Sequence, residues 1–127
     1  MRLSRLPLVG MAGVVSLALV VGCEDKPSVD TSKSTEATVK GTVKVGGAPA
    51  TEGEIVFDPT NYLRKDATIR TAPIGKDGTY EIKTLTGANS IRLSGALAKK
   101  QPQLQSEVRD LDVKAGENTF DFEAKEQ

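Results

Sequence analysis

Side chains able to do covalent or proton chemistry are scarce in this chain of 127 residues, and one stands apart by its position. There is a single cysteine, Cys23, and neither histidine nor tryptophan. Without histidine no Ser-His-Asp or Cys-His pair can be built, because the hydroxyl or thiol has no imidazole to take its proton. Zinc sites of the usual His and Cys kind are excluded for the same reason. Carboxylates remain. Asp110 and Asp112 share a face if their segment is a strand, since side chains two apart point the same way, but a solvated strand edge is the stronger reading of the pair. Asp58, Asp77 and Asp121 fit turns or solvated faces, and no spacing resembles an EF-hand calcium loop. Gly46-Gly47 reads as a turn; neither G-x-x-x-x-G-K-[ST] nor G-x-G-x-x-G occurs, so no phosphate cradle is expected. These residues predict no enzyme activity, no metal and no cofactor.

The surroundings of Cys23 point to another chemistry. Arg2 and Arg5 form a short positive region, and an apolar run of about 16 residues follows from Leu6 to Val21, with Gly10, Ala12 and Gly13 scattered through it. The run ends at Val20-Val21-Gly22-Cys23, and the chain turns polar at once with Glu24-Asp25-Lys26-Pro27. Positive flank, apolar stretch and small residue before the cut are the parts of a secretory signal peptide. A helix spanning a bilayer core needs ~20 residues, so a transmembrane helix is the weaker reading. Val20-Val21-Gly22-Cys23 resembles the lipobox of bacterial lipoproteins. The resemblance implies a diacylglyceryl group on the Cys23 thiol, cleavage before Cys23 and acylation of the new amine. Two or more acyl chains hold where one does not, each buried CH₂ adding roughly 0.8 kcal/mol. The expected location is a membrane of the bacterial cell envelope, on the periplasmic or surface face. Glu24 stands where some bacteria use Asp as an inner-membrane retention signal, which leaves the outer membrane open.

Charge and length bound the rest. Basic and acidic side chains number 17 each; the first 22 residues hold two of the bases and no acid, so residues 23–127 carry 15 against 17, near −2. That balance argues against nucleic acid, which asks for a basic face. A lone cysteine forms no internal disulfide, so the fold rests on its hydrophobic core, and the length suits one domain. The organisation expected is a leader over 1–22, a lipidated N-terminus and polar tether over 23–37, and one domain over 38–125. The tether lacks apolar periodicity, and about 14 such residues span roughly 20 Å on average.

The domain reads as strands. Val39, Gly41, Val43 and Val45 alternate with Thr38, Lys40, Thr42 and Lys44, the period of a half-buried strand. Gly46 to Pro49 breaks the pattern. Glu54 to Phe57 is a second strand stopped by Asp58-Pro59, and Ala67 to Ile74 holds a third with Ile69 as its apolar anchor. Asp77-Gly78 signals a tight hairpin. Tyr80 and Ile82, Ile91 and Leu93, and Leu111 and Val113 repeat the alternation, and Phe120 and Phe122 close it. Ala96 to Lys100 has room for one helical turn between Gly95 and Pro102. Short strands at near-regular spacing, separated by Gly and Pro, predict an all-β sandwich.

Gly41-x-Val43-x₃-Gly47-x-Pro49, then Gly53-x-Ile55-x-Phe57-x-Pro59, then Asp77-Gly78-x-Tyr80-x-Ile82 resemble the carboxypeptidase regulatory-like domain family, as does the ending Gly116-x-Asn118-x-Phe120-x-Phe122. The resemblance covers about Val39 to Glu123 and implies a seven-stranded prealbumin-like (transthyretin-like) sandwich. Hydrolases among transthyretin-like proteins rely on histidines that this chain lacks. Where the family places an aromatic two residues after Gly87, this chain has Asn89, so an irregular strand or turn is expected around Ser90.

Two loops offer contact surfaces. In 59–66, Asn61-Tyr62-Leu63-Arg64-Lys65 sets an aromatic among cations, and in 94–106 Lys99 and Lys100 precede a glutamine-rich run. Tyr62, Arg64, Lys65, Lys99 and Lys100 are the candidate contacts, for anionic lipid heads, an envelope protein or a glycan. The plainer reading is that Tyr62 and Leu63 cap the sandwich and the lysines keep its surface soluble. A membrane-anchored, non-catalytic structural or interaction module is the expected role. A carbohydrate- or peptide-binding module is the alternative, which Tyr62 and Tyr80 exposed on one face would favour; facing carboxylates in a deep cleft would favour an enzyme.

Overall fold

The computed structural model describes residues 35–126. Nine strands occur among them, in a five-stranded and a four-stranded sheet packed face to face as an all-β sandwich. Strand β1 (Glu36–Val45) organises the first sheet. Gly46 and Gly47, at φ 58° and 81°, supply the positive φ values of a two-residue hairpin turn into β2 (Ala48–Pro49), with Val45 opposite Ala48. β1 begins earlier than the sequence pattern predicts, and Ala37, assigned to the polar segment, is buried.

β3 (Glu54–Asp58), β4 (Arg70–Pro73), β6 (Gly87–Ser94) and β7 (Arg109–Val113) form the second sheet in the order β4-β3-β6-β7, all antiparallel. β5 (Thr79–Leu85) returns to the first sheet and pairs with β1 from Glu36↔Leu85 to Thr42↔Thr79. Helix α1 (Gly95–Lys100) and a 3₁₀ turn over Pro102–Ser106 connect β6 to β7, and Leu97, Ala98 and Leu104 close one end of the core. Inward residues of both sheets, among them Val39, Val43, Ile55, Phe57, Ile91, Leu93, Val113 and Phe122, fill the space between the layers. Phe57 and Tyr80 meet across it with ring centroids 6.0 Å apart.

Three expectations about strands are corrected. The third strand is the shorter β4, and its inward residue is Ala72, with Ile74 buried just after it. Ile69 has the opposite parity in a period-2 pattern and points out, 45% exposed. The Asp77-Gly78 turn closes no hairpin within a sheet, because β4 and β5 belong to different sheets; it is a corner, with Gly78 N–H donating to Gly75 O at 2.9 Å. Around Ser90 the strand is regular, Ser90 facing Asp58 on one side and Asp110 on the other. Asn89 is buried and satisfied there. It accepts from Thr84 Oγ1 at 2.7 Å and donates to Leu85 O and Gly87 O at 2.8 and 3.0 Å, a polar plug for the β5–β6 turn.

The terminal strand also differs from its expected form. It is two short pieces, β8 (Glu117–Thr119) and β9 (Phe122–Ala124), both parallel to β1, which with β2 raises the count above the expected seven. Between the pieces the Asp121 carboxylate replaces a backbone acceptor, taking Thr42 N–H at 2.9 Å and Thr42 Oγ1 at 3.0 Å. Phe120 O accepts from the Tyr80 hydroxyl at 2.5 Å. Burial, with the Asp121 charge second, pushes the Tyr80 phenol well above its ordinary pKa. The stability it contributes is therefore fully present below pH ~10. Above that pH the unfolded phenol ionises while the folded one holds its proton, and stability falls. Urea unfolding between pH 9 and 11 is expected to show an extra loss of up to about 1.4 kcal/mol per pH unit that Tyr80→Phe removes; parallel curves for the two proteins would contradict it.

Candidate functional site

The connection from β3 to β4 is the most elaborately built loop of the described chain. Asp58 ends β3 and accepts from Thr60 N–H at 3.0 Å and Thr60 Oγ1 at 2.5 Å. Asn61 Oδ1 accepts from Leu63 N–H at 2.8 Å, and Arg64 N–H donates to Asn61 O at 3.1 Å, which closes a turn over Asn61–Arg64. Asn side chains favour such turns because they mimic a backbone acceptor. Arg64 then turns inward. Its Nε donates to Pro59 O at 2.6 Å, Nη1 to Thr86 O and Nη2 to Ala88 O at 3.0 Å. Burial lowers the Arg64 pKa from its ordinary value, yet a guanidinium keeps its proton in proteins, so the loop is fastened by a cation among carbonyl dipoles.

This corrects the place of Arg64 in the expected contact patch. Only 7% exposed, it is a fastener and not a contact. Its turn lifts Tyr62 and Leu63 to a crest, 82% and 49% exposed, with Lys65 and Asp66 exposed beside them. Tyr62 and Leu63 therefore do not cap the core. Ile69, later in the same connection, is exposed as well. The spacing of Asn61, Leu63 and Arg64 carried the signal for the turn; nothing local told that Arg64 points in.

The two candidate loops lie at opposite ends of the sandwich. Pairing of Glu54 with Ser94 puts α1 at the start of β3, whereas Asp58, opposite Ser90, sends the Tyr62 loop out from the other end. Lys99 is exposed on α1, and Lys100 lies 2.5 Å from a Glu52 carboxylate oxygen. The Tyr62 end also receives the start of the described chain: Thr86 N–H donates to Thr35 O at 2.8 Å, and Thr86 O accepts from Arg64. Cys23 lies outside the described residues.

The remaining candidates are spread out. Tyr80 is buried, so no exposed face carries both tyrosines. Asp110 and Asp112 are exposed on β7, an edge strand, and Asp110 accepts from Ser90 Oγ at 3.1 Å. Asp77 accepts from Thr79 N–H and Oγ1, and those bonds, the hydroxyl first, hold its carboxyl below its ordinary pKa. Among the described residues no group of three or more His, Cys, Asp or Glu side chains is placed to hold a metal, and no helix is long and apolar enough to cross a membrane. A hollow of about 700 Å³ lies over Gly41, Thr42, Tyr80 and Asp121. Its Tyr80 hydroxyl and Asp121 carboxylate are engaged with Phe120 O and Thr42.

No family model matches the chain, and no curated protein matches it. Among solved structures it is similar to a DUF3823 family protein from Parabacteroides merdae, at 16% identity and a TM-score of 0.53 over 72% of this chain and 46% of that one. A DUF3823 family protein from Bacteroides ovatus is similar at 17% identity and a TM-score of 0.52, over 70% and 44%. The likeness is one of fold. The chain spans less than half the length of either bacterial protein. The dioxygenase domain of a dioxygenase carbohydrate-binding protein fusion from a Streptomyces species aligns at 17% identity over 76% of this chain and 83% of that one; its TM-score of 0.44 carries no argument.

Proposed function

We propose that this chain is a bacterial lipoprotein, held on an envelope membrane by lipid on Cys23, whose sandwich acts as a non-catalytic structural or interaction module. The observation that carries the reading is Val20-Val21-Gly22-Cys23, which sets the chain's only cysteine directly behind an apolar run with a basic start. The domain fits the role. Its candidate carboxylates are bonded into turns or exposed at a strand edge, and its surface loops are where partners are met. The finer assignment, a carboxypeptidase regulatory-like domain of the prealbumin type, rests on the Gly-Pro and Asp-Gly motifs. The exposed Tyr62 keeps a second reading in view, a module that binds carbohydrate or peptide.

Fractionation of cells expressing the full chain and a Cys23→Ala variant tests the anchor. The parent is expected in the membrane fraction, extractable by detergent and not by high salt. The variant is expected unprocessed or released. Equal partition of the two into the soluble envelope fraction would overturn the reading.

A further inference from the structure

We propose that the Tyr62–Leu63 crest is a second membrane contact, seated in the interfacial layer of the same bilayer that holds the lipid on Cys23. This rests on the anchor reading and deepens it by giving the domain an orientation. Among the described residues, Tyr62, Leu63 and Ile69, three of the four large hydrophobic side chains that are prominently exposed, lie in the one connection between β3 and β4; the fourth, Val108, precedes β7 at the other end. That connection is tied to the point where the chain arrives from Cys23, because Thr86 bonds both Thr35 and Arg64. The chain from Cys23 enters the sandwich at this end, so the end that carries the crest is the one attached nearest the bilayer.

The chemistry of the crest suits that layer. Tyrosine sets its ring among acyl chains and its hydroxyl among headgroups, as in the aromatic belts of membrane proteins. Leu63 adds apolar surface, and Lys65 has a stem long enough to keep its ammonium in the headgroup region. Lys65 and Lys114 are offset at this end by Asp66 and Glu117, all exposed, so apolar insertion and not net charge drives the contact. An apolar crest of this size binds weakly alone. Tethered, its association is intramolecular, at an effective concentration in the millimolar range. The turn is already ordered by Asn61 and Arg64, so little conformational freedom remains to be lost on insertion.

The chain has no tryptophan, so one introduced indole reports one position. Full-chain lipoproteins carrying Tyr62→Trp or Val108→Trp, extracted from membranes, are reconstituted into phosphatidylethanolamine and phosphatidylglycerol vesicles with brominated acyl chains. Both sites are exposed, and far-UV circular dichroism checks that each variant folds. The indole at position 62 is expected to emit to the blue of its detergent-free, unfolded reference and to lose most of its intensity to the bromines, while that at 108 loses little. Equal and small quenching at both positions would overturn the proposal, as would equal and strong quenching, which means no preferred orientation. A blue shift at 62 without quenching would overturn it too, placing protein, a second copy or another chain, over the crest. Intact mass of the same samples separates the two readings: a chain without acyl groups removes the anchor and this contact together, whereas an acylated chain with an unquenched position 62 removes this contact alone.

Discussion

Gly41→Ala is expected to lower the unfolding free energy by roughly 3 kcal/mol, a large effect for the addition of one methyl group. The strain is not conformational, since Gly41 is not among the glycines at positive φ. It is contact. A Cβ built on Gly41 falls 1.8 Å from Phe120 O and 2.6 Å from Phe120 C, backbone atoms that no rotamer change moves away. To admit the methyl, the junction between β8 and β9 must retreat from β1, stretching Phe120 N–H to Lys40 O, Tyr80 hydroxyl to Phe120 O and the Thr42–Asp121 pair together. Each such bond contributes about 0.5–1.5 kcal/mol net. Gly47→Ala is the control: at φ 81° with open space around it, it carries only the left-handed backbone cost of about 1–2 kcal/mol. Urea midpoints at unchanged m report both changes. Faster amide exchange from Phe120 to Ala124 in the Gly41 variant alone would confirm where the damage lies; equal midpoints for the two variants would contradict a steric cause.

Arg64→Ala is expected to cost about 3 kcal/mol: three carbonyls each lose a hydrogen bond from a charged donor, worth about 1.5–3 kcal/mol apiece, and relief of the buried guanidinium's desolvation offsets part of that sum. Arg64→Lys is expected to recover only part of the loss. An ammonium keeps the charge and lacks the planar fork that reaches Pro59, Thr86 and Ala88 at once. Beyond stability, both changes free the crest from the sandwich end, so amide exchange at Leu63 should accelerate in the order Arg, Lys, Ala. A lysine variant as stable as the parent would show that charge alone, without the fork, holds the loop.

How far the sequence revealed this structure depends on the distance between cause and effect. Alternation within five to ten residues placed β1, β5, β6 and β7, because a half-buried strand writes its own period into the chain, and a short apolar run stopped by Asp58-Pro59 placed β3. Where the deciding partner is remote, the pattern misled. Phe120 and Phe122 alternate like one strand, yet Asp121 is drawn to Thr42, 79 positions away, and the strand breaks there. Ile69 looked like an anchor until the pairing of Ile55 with Ala72 fixed the opposite parity. Asn89 occupies an inward position that suits an apolar side chain, and only Thr84 and the β5–β6 turn explain a buried amide. The same holds for the candidate site. The sequence marks the Tyr62 and Lys99–Lys100 loops as candidate contact surfaces, but its plainer reading, Tyr62 and Leu63 as a cap on the core, is the one the structure overturns. That Arg64 belongs inside, and that the crest and Thr35 share one end of the sandwich, follow from bonds to Thr86, more than 20 positions from Arg64.

Under the proposed anchor those bonds would make the tethered domain an oriented one, and the anchor is the claim on which the functional reading stands. Intact mass spectrometry of the full chain purified from membranes tests it most directly. The expected species is a polypeptide starting at residue 23 with the added mass of a diacylglyceryl group, alone or with a further acyl chain on the amine. A chain that starts elsewhere, or one that carries an unmodified Cys23 thiol, would contradict the anchor.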